Sequence, residues 1–216
     1  MSAGIVLRTV VGLTAAALAA PASAHPHVWV TARAELVYVP DGKITGVRHA
    51  WTFDKGYSAF ITQGLDADKD GTITPEEMKD LAKENTESLL EFEYFTSLKS
   101  GGAKQAFAAP RDYAMAFENG EVTLTYLLPL KAPTNGTKAV VLEVNDPTYF
   151  VSFTLAEGKD AVKLAGAPKG CTAAISRPKP MNVAEQQNLS EAFFEALTAA
   201  SNFGAQFANR AIIACP

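Results

Sequence analysis

The chain has 216 residues, of which 48% are hydrophobic, and its formal net charge is −4 from 19 Lys and Arg against 23 Asp and Glu. This length and apolar content suit a globular domain with its own core. The mildly acidic balance excludes a broad basic surface for nucleic acid or for anionic membranes.

The N-terminus has the pattern of a secretory signal peptide. Arg8 precedes an apolar run over residues 9–20, and residues 21–24 end in an Ala-x-Ala cleavage site. A membrane anchor is the alternative, but the run is shorter than the roughly 20 residues that a spanning helix needs. We therefore predict a signal peptide over residues 1–24. A single α+β domain over residues 25–216, soluble after cleavage, would remain.

Two alternating segments, residues 25–38 and 45–53, predict a β-hairpin. Asp41-Gly42 between them is a strong turn signal. If Pro40 faces Lys43, the apolar positions pair across the turn: Leu36 with Val47, Ala34 with His49, Ala32 with Trp51 and Val30 with Phe53. A slip of one residue would put the two apolar sets on opposite faces, so the pattern specifies the register.

A helical insert over residues 58–98 follows the hairpin. A short helix is predicted over residues 58–65, and a longer one from Pro75 to about Leu98 with apolar residues at helical spacing. Further strands are predicted at 112–117, 122–128, 138–144, 149–155 and 172–176, and a C-terminal helix at 183–200. The predicted fold class is α+β, with an antiparallel sheet or sandwich core, an EF-hand-like helical insert and a C-terminal helix.

Residues 66–77 match an EF-hand calcium loop at every constrained position. Gly71 stands where the loop turns sharply and Ile73 at the apolar anchor. Calcium is a hard ion that binds oxygen, and the loop offers such ligands from Asp66, Asp68, Asp70, Thr72 through its backbone carbonyl, and Glu77 through both oxygens. A solvated acidic turn is the alternative. No second loop is found, so we expect structural calcium rather than a paired sensor.

Cleavage after Ala24 would make His25 the first residue, followed by Pro26 and His27. A free amine and two imidazoles suit copper, nickel, cobalt or zinc. Because Pro26 has no backbone N–H, a square-planar site with four nitrogens is excluded. A histidine-brace arrangement on His25 is left open, as is the alternative that these residues only begin a strand.

Asp54 lies diagonal to His27 in the predicted hairpin and is a candidate ligand, or a partner that orients an imidazole. His49 lies on the apolar side of the hairpin and far along it from His27. We therefore predict that His49 is a core residue. This placement argues against a copper enzyme with two neighbouring imidazoles.

Cys171 and Cys215 are the two cysteines of the chain. An exported protein meets an oxidising compartment, so an even pair indicates a disulfide. A soft-metal or redox pair, the alternative, prefers the close Cys-x-x-Cys spacing. We predict a bridge that ties the C-terminus to the body of the protein.

Several motifs occur together in a recognisable order: His25-Pro26-His27-Val28-Trp29, Trp51-x-Phe53-Asp54, the calcium loop, Asp146-Pro147-Thr148-Tyr149, and the late cysteine pair. In this arrangement the mature chain resembles the domain-of-unknown-function family 1007. The resemblance implies a periplasmic protein of a Gram-negative bacterium, of a kind often labelled as the periplasmic component of an ABC-type transport system. Some relatives are associated with nickel or cobalt export permeases, which implies a metal-transport permease as a partner.

Three functions are compatible with these residues. The first is a periplasmic calcium-binding protein that is also an accessory in nickel, cobalt, copper or zinc homeostasis through His-Pro-His. The second is a structural or interaction module in which calcium only stabilises the structure. The third is a copper-dependent oxidase or oxygenase that uses His25. We expect no enzyme, because no nucleophile elbow, phosphate loop or paired cysteine metal motif is found.

Overall fold

The computed structural model of the protein describes residues 26–178 and 203–216. The predicted signal peptide, His25 and the predicted helix over residues 183–200 lie outside these described residues. Within them, no helix combines the length and the apolar character that crossing a bilayer requires.

Two β-sheets and a helical insert make up the described part of the chain. The strands are β1 Val28–Tyr38, β2 Lys43–Phe53, β3 Thr96–Ser100, β4 Ala103–Lys104, β5 Arg111–Glu118, β6 Glu121–Asn135, β7 Val140–Val144, β8 Val151–Leu155, β9 Val162–Ala165, β10 Thr172–Ser176 and β11 Asn209–Ala214. The helices are α1 Lys55–Ile61 and α2 Lys79–Ser88, with 3₁₀ turns at Leu89–Phe95, Lys159–Ala161 and Phe203–Phe207.

The first sheet has the strand order β5-β6-β2-β1-β8, with β9 also paired to β1, and the second has the order β10-β11-β7-β3-β4. Leu36 and Trp51 of the first sheet and Leu98 and Leu142 of the second are almost fully buried in the same hydrophobic core. The sheets therefore pack face to face as a sandwich, and the predicted α+β, sheet-rich fold class is confirmed.

The predicted hairpin register is confirmed, with Leu36 opposite Val47 and Val30 opposite Phe53. The turn itself is one residue longer than predicted, since Val39 N–H donates to the Lys43 carbonyl at 2.9 Å. A bulge at Thr45 in β2 then absorbs one residue and restores the register. Burial of both apolar faces decides the pairing, and the turn adapts to it.

One prediction about the sheet is wrong in part: the core is not purely antiparallel. β8 and β9 both pair with β1 in parallel, at Val28–Ala32 and Ala34–Val37 respectively. Alternation within a strand does not reveal the direction of its neighbour. The chain reaches β8 from β7 of the other sheet, and this crossing brings β8 in alongside the start of β1.

The predicted helix from Pro75 to Leu98 is also too long. Regular helix ends at Ser88, and the backbone turns left-handed at Glu93, Tyr94 and Phe95 with φ of 49°, 58° and 47°. Residues 96–100 then form β3 at the heart of the second sheet. Leu98 is buried there, in the core shared with the opposing sheet.

The remaining strand predictions agree with the structure as β5, β6, β7, β8 and β10, although β6 continues to Asn135. The sequence patterns do not predict β3, β4, β9 or β11. The predicted first helix is displaced toward the N-terminus, because Asp54 starts it at Lys55.

The predicted disulfide is confirmed: Cys171 and Cys215 are bonded with an S–S distance of 2.04 Å. The bridge joins the end of β11 to the loop before β10. It therefore reinforces an antiparallel strand pair at the edge of the second sheet.

Candidate functional site

The acidic loop lies between α1 and α2, and its first aspartate organises the backbone. The Asp66 carboxylate accepts hydrogen bonds from the backbone N–H groups of Asp70 at 3.1 Å and Gly71 at 3.0 Å. Gly71 has φ of 85°, a conformation that glycine adopts without strain. The loop thus closes on Asp66 as the sequence pattern requires.

Three carboxylates converge inside this loop. One oxygen each from Asp66, Asp68 and Asp70 lies within 4.8 Å of the others. Asp66 is half-buried and the other two are exposed. Oxygen ligands at such separations fit a hard divalent cation such as calcium, whose bonds to oxygen are about 2.3–2.6 Å long.

Thr72 and Glu77 complete the predicted ligand set. Thr72 N–H donates to the Asp70 carboxylate at 2.7 Å. The Glu77 carboxylate accepts from Ala67 N–H at 2.9 Å and from Thr74 N–H and Oγ1, also at 2.9 Å. Glu77 therefore ties the two ends of the loop together and stands apart from the cluster of three aspartates.

These bonds also affect the acidity of Glu77. Hydrogen bonds from the Thr74 backbone, the Ala67 backbone and the Thr74 hydroxyl lower the pKa of the Glu77 carboxyl, because they stabilise its charged form. The carboxylate is thus ionised at neutral pH, as a metal ligand must be.

Apolar residues attach the loop to the protein body. Met78 is fully buried, and Leu65 and Ile73 pack against the hydrophobic core. The positions of the loop ends are therefore set by the core, while the carboxylates face outward.

The histidine region is only partly described. His25 lies outside the described residues, and His27 is exposed, with its ring 4.6 Å from that of Phe150. The transition-metal role of His25 and His27 stays a prediction. In the described residues, the acidic loop alone brings three or more metal-ligating side chains together.

Asp54 has a clear local role in the structure. One carboxylate oxygen accepts from Trp29 N–H at 3.0 Å and the other from Tyr57 N–H at 3.0 Å. The first bond ties β1 to the end of β2, and the second caps the N-terminus of α1. Both oxygens are thus engaged with the backbone, and the metal-ligand role of Asp54 stays a prediction.

Replacing Asp54 with alanine is expected to lower the free energy of unfolding by about 2 kcal/mol, since it removes a helix cap and a second hydrogen bond. Asparagine keeps one acceptor oxygen, and we expect about half that loss. Urea unfolding of both variants measures the effect. An alanine variant as stable as the parent would contradict the capping role.

His49 is buried as predicted, with only 1% of its surface exposed. Its ring stacks on Tyr126 at 5.1 Å and meets Trp51 edge-on at 5.3 Å. Thr96 Oγ1 lies 3.3 Å from Nε2, whereas His49 Nδ1, Trp51 Nε1 and Tyr126 OH have no hydrogen-bond partner within the described part of the chain. Burial lowers the pKa of His49 from 6.5 to about 3, so the ring is neutral near pH 7.

A large cavity that the sequence does not predict opens where the helical insert meets the sheets. It has a volume of about 480 Å³. Its walls come from the starts of β1, β6 and β8, the end of β2, both helices, the 3₁₀ turn at residues 89–95 and the turn after β7. Because these segments are far apart in sequence, no local motif marks the site.

Comparison with known proteins yields a family but no activity. The family model described as "Protein of unknown function (DUF1007)" matches residues 10–215. A curated relative, the "Uncharacterized 15.5 kDa protein in trpE 3'region" of Spirochaeta aurantia, is 25% identical over 114 residues, which is 52% of this chain and 81% of the relative. No solved structure matches the chain significantly. With a model match over nearly its full length, the chain belongs to the DUF1007 family.

Proposed function

We propose that this protein binds calcium through residues 66–77 and that the ion clamps α1 to α2. The convergence of the Asp66, Asp68 and Asp70 carboxylates within 4.8 Å supports the proposal. Three like charges this close repel one another, and a divalent cation would offset that repulsion.

The geometry favours a structural role for the ion. The loop is unpaired in the described residues, and its carboxylates are largely exposed, so we expect a dissociation constant on the order of 0.1–1 mM. A calcium-rich environment would keep such a site filled. The ion would then join the two helices that contribute to the cavity wall.

The cellular location and the partner of the protein belong to the same proposal. The predicted signal peptide over residues 1–24 supports a periplasmic location. A role beside a metal-transport permease rests on the family resemblance and on His25 and His27, and is proposed as an additional function. We propose no catalytic activity.

Calcium titration followed by calorimetry tests the central claim. Glu77→Gln is expected to weaken binding at least about ten-fold, because it removes one charge and one of two strong ligand oxygens. Glu76→Gln is the matched control: it removes the same charge one residue away, at a position that supplies no ligand. Equal affinities for the two variants, or no calcium binding by the parent, would refute the proposal.

A further inference from the structure

The cavity between the helical insert and the sheets has the size of a small-molecule site. Its volume of about 480 Å³ falls within the range of roughly 300–1,000 Å³ that ligand pockets occupy. All its described lining residues lie outside the calcium loop. An inference from this cavity is therefore independent of the calcium proposal.

Aromatic side chains dominate the lining. Seven of them contribute: Trp51, Phe53, Tyr57, Phe92, Phe95, Phe150 and Phe153. Trp51, Phe153, Phe95 and Phe92 form a continuous series, with successive ring centroids 4.9, 5.3 and 5.1 Å apart. The cavity is thus lined on several sides by polarisable ring surfaces.

Two of these rings are far more exposed than phenylalanine usually is. Phe92 is 51% exposed and Phe150 is 47% exposed. They come from the 3₁₀ turn and from the turn after β7, and both belong to the cavity lining. Exposed aromatic side chains gathered at one opening are typical of a binding site rather than of a random surface.

The charge around the cavity has one sign. Among the described lining residues, Asp146 is the single acid and there is no Lys or Arg. Asp146 is 5% exposed, and its carboxylate accepts from Thr148 N–H, Thr148 Oγ1 and Val151 N–H. No basic side chain of the described chain forms an ion pair with it.

The wall segment adds further negative charge. From residue 79 to residue 95 the chain carries Asp80, Glu84, Glu87, Glu91 and Glu93 against Lys79 and Lys83, a net charge of −3. The four glutamates are exposed, and among the described residues only Glu93 of these four forms an ion pair, with Lys104 at 2.6 Å. A ligand approaching this opening therefore meets a negative potential.

We propose that this cavity binds a small organic cation, namely a quaternary or protonated amine on an apolar or aromatic body. Aromatic rings attract cations through their negative faces, and this attraction is strongest when water is excluded. Asp146 and the glutamates also attract a positively charged ligand. These acidic side chains would repel an anionic ligand such as a fatty acid. They would add nothing to the binding of a neutral hydrocarbon.

Fluorescence of Trp51 provides a direct assay. The chain has two tryptophans, so a Trp29→Phe background leaves Trp51, in the cavity wall, as the reporter. Benzyltrimethylammonium is the probe, and neopentylbenzene is its uncharged isostere. We expect the cation to perturb Trp51 and to bind at least about ten-fold more tightly than the isostere.

Two substitutions separate ring and charge effects. Phe92→Leu keeps an apolar side chain but removes the ring. It should weaken binding of the cation several-fold more than binding of the isostere. Glu91→Gln should weaken binding of the cation only, and this loss of affinity should be smaller at high salt. Phe60→Leu is the matched control, because Phe60 is 69% exposed on α1 and does not line the cavity.

Four results would overturn the proposal. The first is equal affinity for the cation and its isostere, and the second is no binding of the cation up to about 1 mM, which is too weak for specific recognition. The third is an equal effect of Phe92→Leu and Phe60→Leu. Tight binding of phenylpropanoate would likewise assign the site to anions and contradict the charge argument.

Discussion

Replacing Cys171 and Cys215 with serine is expected to lower the free energy of unfolding by about 4 kcal/mol. The two residues are 44 positions apart, and a cross-link that closes a loop of this size restricts the unfolded chain by about that amount. Guanidinium unfolding of the parent and of the double variant under oxidising conditions measures the difference.

Chemical reduction is the matched control for this prediction. Dithiothreitol should destabilise the parent to the level of the double variant and should leave the variant unchanged. β11 retains its backbone pairing with β7 and β10 in both cases, so the loss should arise mainly in the unfolded state. A difference below about 1 kcal/mol would show that the bridge constrains little.

Acid should destabilise the protein through His49. The pKa of His49 is lowered by burial to about 3 from an ordinary 6.5, so between these values the unfolded chain binds a proton that the folded protein does not. The contribution of His49 is complete above the unfolded pKa and declines as the pH falls toward the folded pKa. From about pH 7.5 to about pH 4.5 we expect a loss of about 2.5 kcal/mol from this residue.

The His49→Phe variant isolates this contribution. Phenylalanine preserves an aromatic ring against Trp51 and Tyr126, and Thr96 Oγ1 still donates to the Tyr94 carbonyl. Carboxylates titrate alike in both proteins, so the difference between their stability curves reports His49 alone. Parallel curves across this pH range would mean that His49 is protonated in the folded state as readily as in the unfolded state.

The proposed calcium site and the proposed cation-binding cavity both involve the helical insert. The acidic loop lies between α1 and α2, and these helices supply Tyr57, Asn85 and Ser88 to the cavity wall. An ion that fixes the helices would also fix that wall. The calcium and cation assays nevertheless stand apart, because their substitutions involve different residues.

Local features were predictable because a few neighbouring residues encode them. Alternation indicated the pairing of Leu36 with Val47, since a slip of one residue would expose one of the two apolar faces. The spacing of acids and glycine over residues 66–77 indicated a loop that turns at Gly71, and the backbone does so. The cysteine pair likewise predicted its own bridge.

The tertiary structure decided everything that depends on distant segments. The parallel pairing of β1 with β8, the early end of the helix before β3 and the cavity all arise from packing between parts of the chain far apart in sequence. The same holds for Asp54, which the sequence offers as a metal ligand and the fold uses to join β1, β2 and α1. Sequence periodicity reports which face of a segment is buried, whereas its partner is selected by the packing of the whole core.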